Sequence, residues 1–127
     1  MSVKYSIIER GNPGDPTKPK KFYAQAVADG ETSLKDLAKR AAQISTVSYT
    51  DTLAVVTALL EVIPDVLADG KTVRLGDLGS LYISNKSQGS ETAAKVSASN
   101  ILSPKVDFRP GNDFKKLAKP LDWQKMK

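Results

Sequence analysis

The side chains available for chemistry in this sequence are restricted from the outset. Its 127 residues include no cysteine and no histidine. That removes disulfides, thiolate nucleophiles and most structural zinc sites, and leaves no side chain that titrates unperturbed near neutral pH. Carboxylates, lysines, serines and tyrosines remain, without a paired acid and base at motif spacing. The segment "GNPGDPTKPK", residues 11–20, lacks the G-x-x-x-x-G-K-[ST] spacing of a phosphate-cradling loop. The expectation is therefore no enzyme, no cofactor, no metal and no small-molecule substrate.

What the chain does carry is positive charge, unevenly placed. Its formal net charge is +5. Residues 1–32 hold five Lys/Arg against four Asp/Glu, and residues 33–70 hold three against five. Residues 71–127 hold eleven against five, so the last segment outweighs the rest. A basic half beside a slightly acidic one points to a polyanion partner. The alternative is that the lysines only keep a small domain soluble.

The elements that must position these charges follow from period and punctuation. "SVKYSIIER" alternates Val3, Tyr5 and Ile7 as a half-buried strand. Five glycines and prolines between Gly11 and Pro19 then exclude a helix or central strand. "KFYAQAV" resumes an extended pattern, and whether the two strands pair is not readable from sequence. In "TSLKDLAKRAAQIS", Ser33 is a good N-cap, and Leu34, Leu37, Ala38, Ala41 and Ile44 form a helical stripe. A second helix is predicted from Ser48 as cap to the stop at Asp69–Gly70. It carries two apolar stripes: Leu53, Val56, Leu60, Ile63 and Leu67 on one, Val55, Leu59, Val62 and Val66 on the other. The first helix alone is too small to cover both, so a second copy of the chain is expected against this surface. Pro64 should kink the helix, or else the helix ends at Ile63.

The helix–turn–helix appearance of residues 33–69 does not make a major-groove reader. The second helix has no Lys or Arg between Tyr49 and Ala68, and Asp51, Glu61 and Asp65 would repel phosphate. This helix pair is read as core. No basic start followed by an apolar run marks a signal peptide, and "LAVVTALLEVI" is too short to span a bilayer. A cytoplasmic protein with no membrane partner is expected.

Next comes "GKTVRLGDLGSLYIS", residues 70–84, two apolar alternations punctuated by glycines. Gly76 and Gly79 read as structural, permitting a tight turn and close packing. A polar run of about twenty residues follows, and an unstructured insert of that length is unusual in a compact domain. Strands leaving Ile83 and returning to Val106 as a two-stranded arm are the more economical reading; a disordered loop is the other. "VDFRPGNDFKKLAK" then supplies a strand through Val106 and Phe108, a turn at Pro110–Gly111, and a short helix. That helix is capped at Asn112 or Asp113, with Lys115, Lys116 and Lys119 outward.

Two helices, "GKTVRLGDLGSLYI", a polar arm, then "FRPG" and a short basic helix resemble, in order and spacing over residues 33–119, the HU/IHF family of bacterial histone-like DNA-binding proteins. The N-terminal strands look like the extension of a longer HU-related subgroup, through "NPGDP" and "KKFYAQA". The resemblance implies an α+β fold built as an intertwined homodimer. It would have a helical base, a β-sheet saddle, arms over about residues 84–105, an N-terminal β extension over residues 1–32 packed on the core, and a tail over 120–127. It further implies largely sequence-independent, architectural binding of duplex DNA in the nucleoid, with DNA condensation. The binding residues it implies are Arg74, Lys86, Lys95, Lys105, Arg109, Lys115 and Lys116. The sequence departs from the family in the arm. Residues 84–104 contain no arginine, only Lys86 and Lys95 offset by Glu91, and no proline except Pro104 at the return root. A proline wedge at the arm tip is what kinks DNA in the family, so binding with a shallow bend is expected. The alternative is a protein-interaction or structural module of the same fold with weak or lost DNA binding.

Overall fold

The structure is a computed structural model that describes residues 2–126. It is a mixed α+β chain that divides into two compact units, residues 1–33 with 118–127, and Leu34–Leu117.

In the first unit, β1 (Val3–Arg10) and β2 (Lys21–Val27) pair as an antiparallel hairpin, with Arg10 opposite Lys21 and Lys4 opposite Val27. The pairing that the sequence left open is thus made within the segment. Residues 120–127, expected as a tail, include a third strand, β6 (Trp123–Lys125), parallel to β1 with Val3 opposite Trp123. Backbone bonds from Val3 N–H to the Asp122 carbonyl (2.7 Å) and from Met126 N–H to the Tyr5 carbonyl (2.8 Å) hold its ends. Strand alternation gives this sheet two faces. One carries Val3, Tyr5, Ile7, Glu9, Phe22, Ala24, Ala26, Trp123 and Lys125; the other carries Lys4, Ser6, Ile8, Arg10, Lys21, Tyr23, Gln25, Val27 and Gln124.

The second unit begins with α1 (Leu34–Gln43) and α2 (Tyr49–Ala68). The Ser48 hydroxyl caps α2, accepting from the Asp51 N–H at 3.1 Å. Its end is a Schellman arrangement: Gly70 (φ +84°) and Lys71 donate to the Leu67 and Val66 carbonyls. Pro64 is accommodated inside α2, and the reading that ends the helix at Ile63 is not what forms. The two stripes of α2 are covered unequally. On the first, Leu53, Val56 and Ile63 are partly covered, Leu67 is buried and Leu60 stays exposed. On the second, Val66 is partly covered while Val55, Leu59 and Val62 stay exposed, Val55 at 61%. Only Ala38 and Leu67 form buried hydrophobic core among the described residues.

The sheet of this unit is β3 (Val73–Arg74), β4 (Gly79–Ser87) and β5 (Ile101–Pro110), all antiparallel in the order β3-β4-β5. A 3₁₀ turn at Gly76–Leu78 joins β3 to β4, and α3 (Asn112–Leu117) follows β5. Pairing of β4 with β5 continues to Ser87 opposite Ile101. The register slips once: Ser84 faces Lys105 but Lys86 faces Leu102. The extra residue lies in β5, where Ser103 takes φ +48° and Pro104 brings no N–H to the ladder. Residues 88–100 contain two 3₁₀ turns and are tied across by Asn100. Its side-chain N–H groups donate to the Gln88 carbonyl and the Ser90 hydroxyl, both at 2.9 Å.

Candidate nucleic-acid interface

The register of β3-β4-β5 sorts its side chains by face. Arg74 lies opposite Ser80, and Ser80 opposite Arg109, so the two arginines flank a serine in one row across three strands. Tyr82 with Asp107, and Ser84 with Lys105, continue the same face along the ladder. After the slip in β5, Lys86 extends it. The opposite face carries Val73, Leu81, Ile83, Val106 and Phe108. One face is thus polar and cationic and the other apolar, as the alternation of the sequence requires.

The polar face is held in place by local contacts. The Arg109 guanidinium stacks over the Tyr82 ring, 5.2 Å from its centroid, an orienting cation–π contact. Asp107 sits among the cations. It accepts a hydrogen bond from the Ser84 hydroxyl, and its carboxylate lies 3.4 Å from the Lys105 ammonium. The Ser84 bond, aided by the Lys105 charge and opposed by slight desolvation, holds the Asp107 carboxyl below its ordinary pKa. Asp107 is therefore ionised at neutral pH and subtracts one charge from the row.

The second part of the site is α3, which two glycines lock to the sheet. A Cβ on Gly111 would lie 2.0 Å from the Asp77 carbonyl oxygen, and one on Gly79 would lie 2.6 Å from the Phe108 ring. Only glycine lets the "GDLG" and "FRPG" turns come so close. The Gly111 N–H then donates to the Leu78 carbonyl at 3.0 Å. Phe114 of α3 meets Phe108 of β5 edge to face, with centroids 6.0 Å apart. Lys115 and Lys116 occupy the last turn of α3, both exposed, where positive charge also suits the helix dipole. Lys119 lies beyond the helix end.

Of the seven residues singled out from sequence, Arg74, Lys86, Lys105 and Arg109 share the polar sheet face, and Lys115 and Lys116 belong to the helix docked on the same sheet. Lys95 stands apart. It lies in the 88–100 segment within the 3₁₀ turn Ala93–Lys95, 3.9 Å from Glu91. Sequence reading missed Asp107, Ser84 and Tyr82. The period-two alternation that assigned the strands puts all three on the face of Arg109, but only the β4–β5 register brings them together.

With this geometry in view, comparison with known proteins is informative. The family model described as an HU domain fused to wHTH, Ig, or glycine-rich motif matches residues 1–125. The chain belongs to this HU-HIG family. The match takes in the N-terminal hairpin and β6 as well as the unit with the basic sheet, so the HU-HIG pattern extends through both units. A search of curated proteins by sequence returned no match. Among solved structures, the HU-HIG chain is similar to a Bacteroides vulgatus protein described as a candidate bacterial DNA-binding protein. The TM-score is 0.65 at 14% identity, over 98% of this chain and 48% of that one. The chain thus spans about half the length of that neighbour. It is also similar to Anabaena HU in a cocrystal with DNA, at TM-score 0.54 and 22% identity, over 70% of this chain and 99% of that one. At these identities the likeness is one of fold. Among the described residues there is no group of three or more potential metal ligands, and no helix is long and apolar enough to cross a membrane.

Proposed function

We propose that this HU-HIG protein binds duplex DNA without reading its sequence, as an architectural protein of the bacterial nucleoid. The polar face of β3-β4-β5 and the exposed end of α3 form the contact surface. The observation that carries the reading is the row Arg74–Ser80–Arg109, continued by Lys105 and Lys86, with Lys115 and Lys116 added on α3, which docks through Phe114 on the apolar-face residue Phe108. Such a face neutralises phosphates along a backbone and offers no set of base-reading side chains on a groove-sized helix. The Anabaena HU fold, recorded with DNA, supports the same assignment by likeness.

The working form is a homodimer. Support comes from Val55, Leu59 and Val62 on the second stripe of α2, which stay exposed in their own unit, and from Ile44 just beyond α1, 90% exposed. Burying Val55, Leu59 and Val62 against a second copy would contribute about 1.5–3 kcal/mol per fully covered side chain. Light scattering should return twice the monomer mass across a tenfold dilution series.

Titration of a generic duplex of about 30 base pairs at several salt concentrations tests the function. If about four to six cations per dimer meet phosphates, log affinity falls against log salt with a slope of roughly −4 to −5. Absence of binding at 50 mM salt would favour a protein-interaction module of HU-like fold instead. The bend should be shallow, below about 90 degrees by energy transfer between labelled duplex ends, because the 88–100 segment supplies no proline wedge.

A further inference from the structure

The N-terminal unit contains a cleft that the duplex-binding surface does not use. It has a volume of about 610 Å3 and is lined by Arg10 from β1, Lys21 and Tyr23 from β2, and Gly11, Asn12, Pro13, Lys18 and Pro19 from the loop between them. That volume falls within the range of about 300–1,000 Å3 typical of clefts that hold one small ligand group. Its charge is one-sided. Arg10 and Lys21 face each other directly across the hairpin, an arrangement of like charges that disfavours the strand pair unless an anion lies between them. Lys18 adds a third cation, and among the described residues no ion pair engages any of the three. Neither nearby carboxylate lines the cleft. Glu9 pairs with Phe22 and so lies on the opposite face, and Asp15 accepts from both the Thr17 N–H (3.0 Å) and the Thr17 hydroxyl (2.6 Å).

The wall of the cleft is preorganised. Asn12 accepts from the Gly14 N–H at 2.9 Å, Asp15 repeats the same turn with Thr17, and Pro13, Pro16 and Pro19 fix the backbone between them. A loop already rigid loses little conformational entropy when it binds. Beside the cations stands Tyr23, 47% exposed and part of the cleft lining, an aromatic ring on which a flat partner can stack. Three cations around a concave cleft with one aromatic plane match a phosphate joined to a base. A convex duplex cannot enter such a cleft, whereas an unpaired nucleotide can place its phosphate among Arg10, Lys18 and Lys21 and stack its base on Tyr23. We infer that this cleft is a binding site for single-stranded nucleic acid, separate from the duplex surface and independent of it.

The test uses the full chain and a labelled ten-nucleotide deoxythymidine strand at 50 mM salt, followed by anisotropy, with the 30-base-pair duplex in parallel. Tyr23→Ala should weaken binding of the single strand about tenfold, and Tyr23→Phe should restore it to within about twofold. Lys18→Gln with Lys21→Gln should weaken it further and make its salt slope shallower by up to about 0.7, the share of one phosphate on a single strand. Duplex affinity should stay within about twofold in all these variants, so the two readings stand or fall separately. Lys18 lies in the exposed loop, and Lys18→Gln alone provides a variant whose folding is not at issue. The inference is overturned if Tyr23→Ala leaves the single strand bound as before. It is also overturned if binding of the single strand is abolished by Arg109→Gln, Lys115→Gln and Lys116→Gln together, which would place the strand on the duplex surface.

Discussion

The described residues form two three-stranded sheets, each with one largely apolar face and one face that carries cations, and they present their charge in opposite ways. In β3-β4-β5 the cations are spread, with Arg74, Arg109, Lys105 and Lys86 along the ladder and Lys115 and Lys116 on the docked helix. In β2-β1-β6 Lys4 pairs with Asp29 at one end, and the unpaired cations gather at the turn end, where Arg10 and Lys21 face each other beside Lys18. A spread row matches phosphates that recur along a duplex, and a gathered set matches one phosphate. The supports differ as well. The first sheet is braced by glycines that admit backbone to backbone, the second by a proline-rich loop closed on its own side chains. Similar strand alternation therefore produces two recognition geometries, according to what the connecting segment allows.

The largest expected effect tests the bracing. Gly111→Ala would force a Cβ to 2.0 Å from the Asp77 carbonyl oxygen, and neither backbone can yield cheaply. It should cost about 3 kcal/mol and detach α3, read as a fall in Tm and loss of the Phe114 ring contact by NMR. Gly11→Ala in the loop of the other sheet, where a Cβ meets only the Lys20 side chain at 3.7 Å, should stay within about 0.5 kcal/mol. Equal losses would break the comparison.

Next in size is the distribution of duplex affinity. Neutralising Arg109, Lys115 and Lys116 together should weaken binding at 50 mM salt by about 30-fold or more. Neutralising Lys86 and Lys95 should cost under about threefold, since Lys95 already lies near Glu91. Greater sensitivity to the second pair would move the grip from Arg109 and α3 to the far end of the β4–β5 ladder and the 88–100 segment.

A smaller effect of opposite sign is expected at Asp107. Asp107→Asn removes the one carboxylate within the cationic row and frees Lys105 for phosphate. Duplex affinity should rise about threefold, with a slightly steeper salt slope. Unchanged affinity would mean that the row does not meet the duplex at that position.

The smallest effect is a titration. The folded-state pKa of Asp107 lies below its unfolded value, chiefly through the Ser84 hydroxyl. The stabilisation this represents is present above the ordinary carboxylate pKa and is lost as pH falls through the folded-state value. Ser84→Ala should shift the Asp107 titration upward, measured by carboxyl carbon NMR. It should leave stability unchanged in strongly acid solution, where the carboxyl is protonated in both states. Asp15, lowered by its bonds from Thr17, should not respond to Ser84→Ala.

The sequence by itself determined the local elements and the facing of their side chains. Ser48 and Gly70 bound α2 because capping and a left-handed backbone are properties of a few neighbouring residues. The two stripes of α2 and the split of β4 and β5 into apolar and cationic faces are likewise consequences of period. They were legible before any contact was known, as were the six cations on the sheet and α3. Tertiary structure alone decided what depends on distant segments meeting. The parallel pairing of β6 with β1 joins residues more than a hundred positions apart and has no local signature, so Trp123 read as part of a tail. Gly111 read as a turn residue, and its close approach to Asp77 arises only when two turns pack. The capture of Asp107 by Ser84, and the facing of Arg10 and Lys21, follow from strand register. Register is a relation between two segments that neither contains alone.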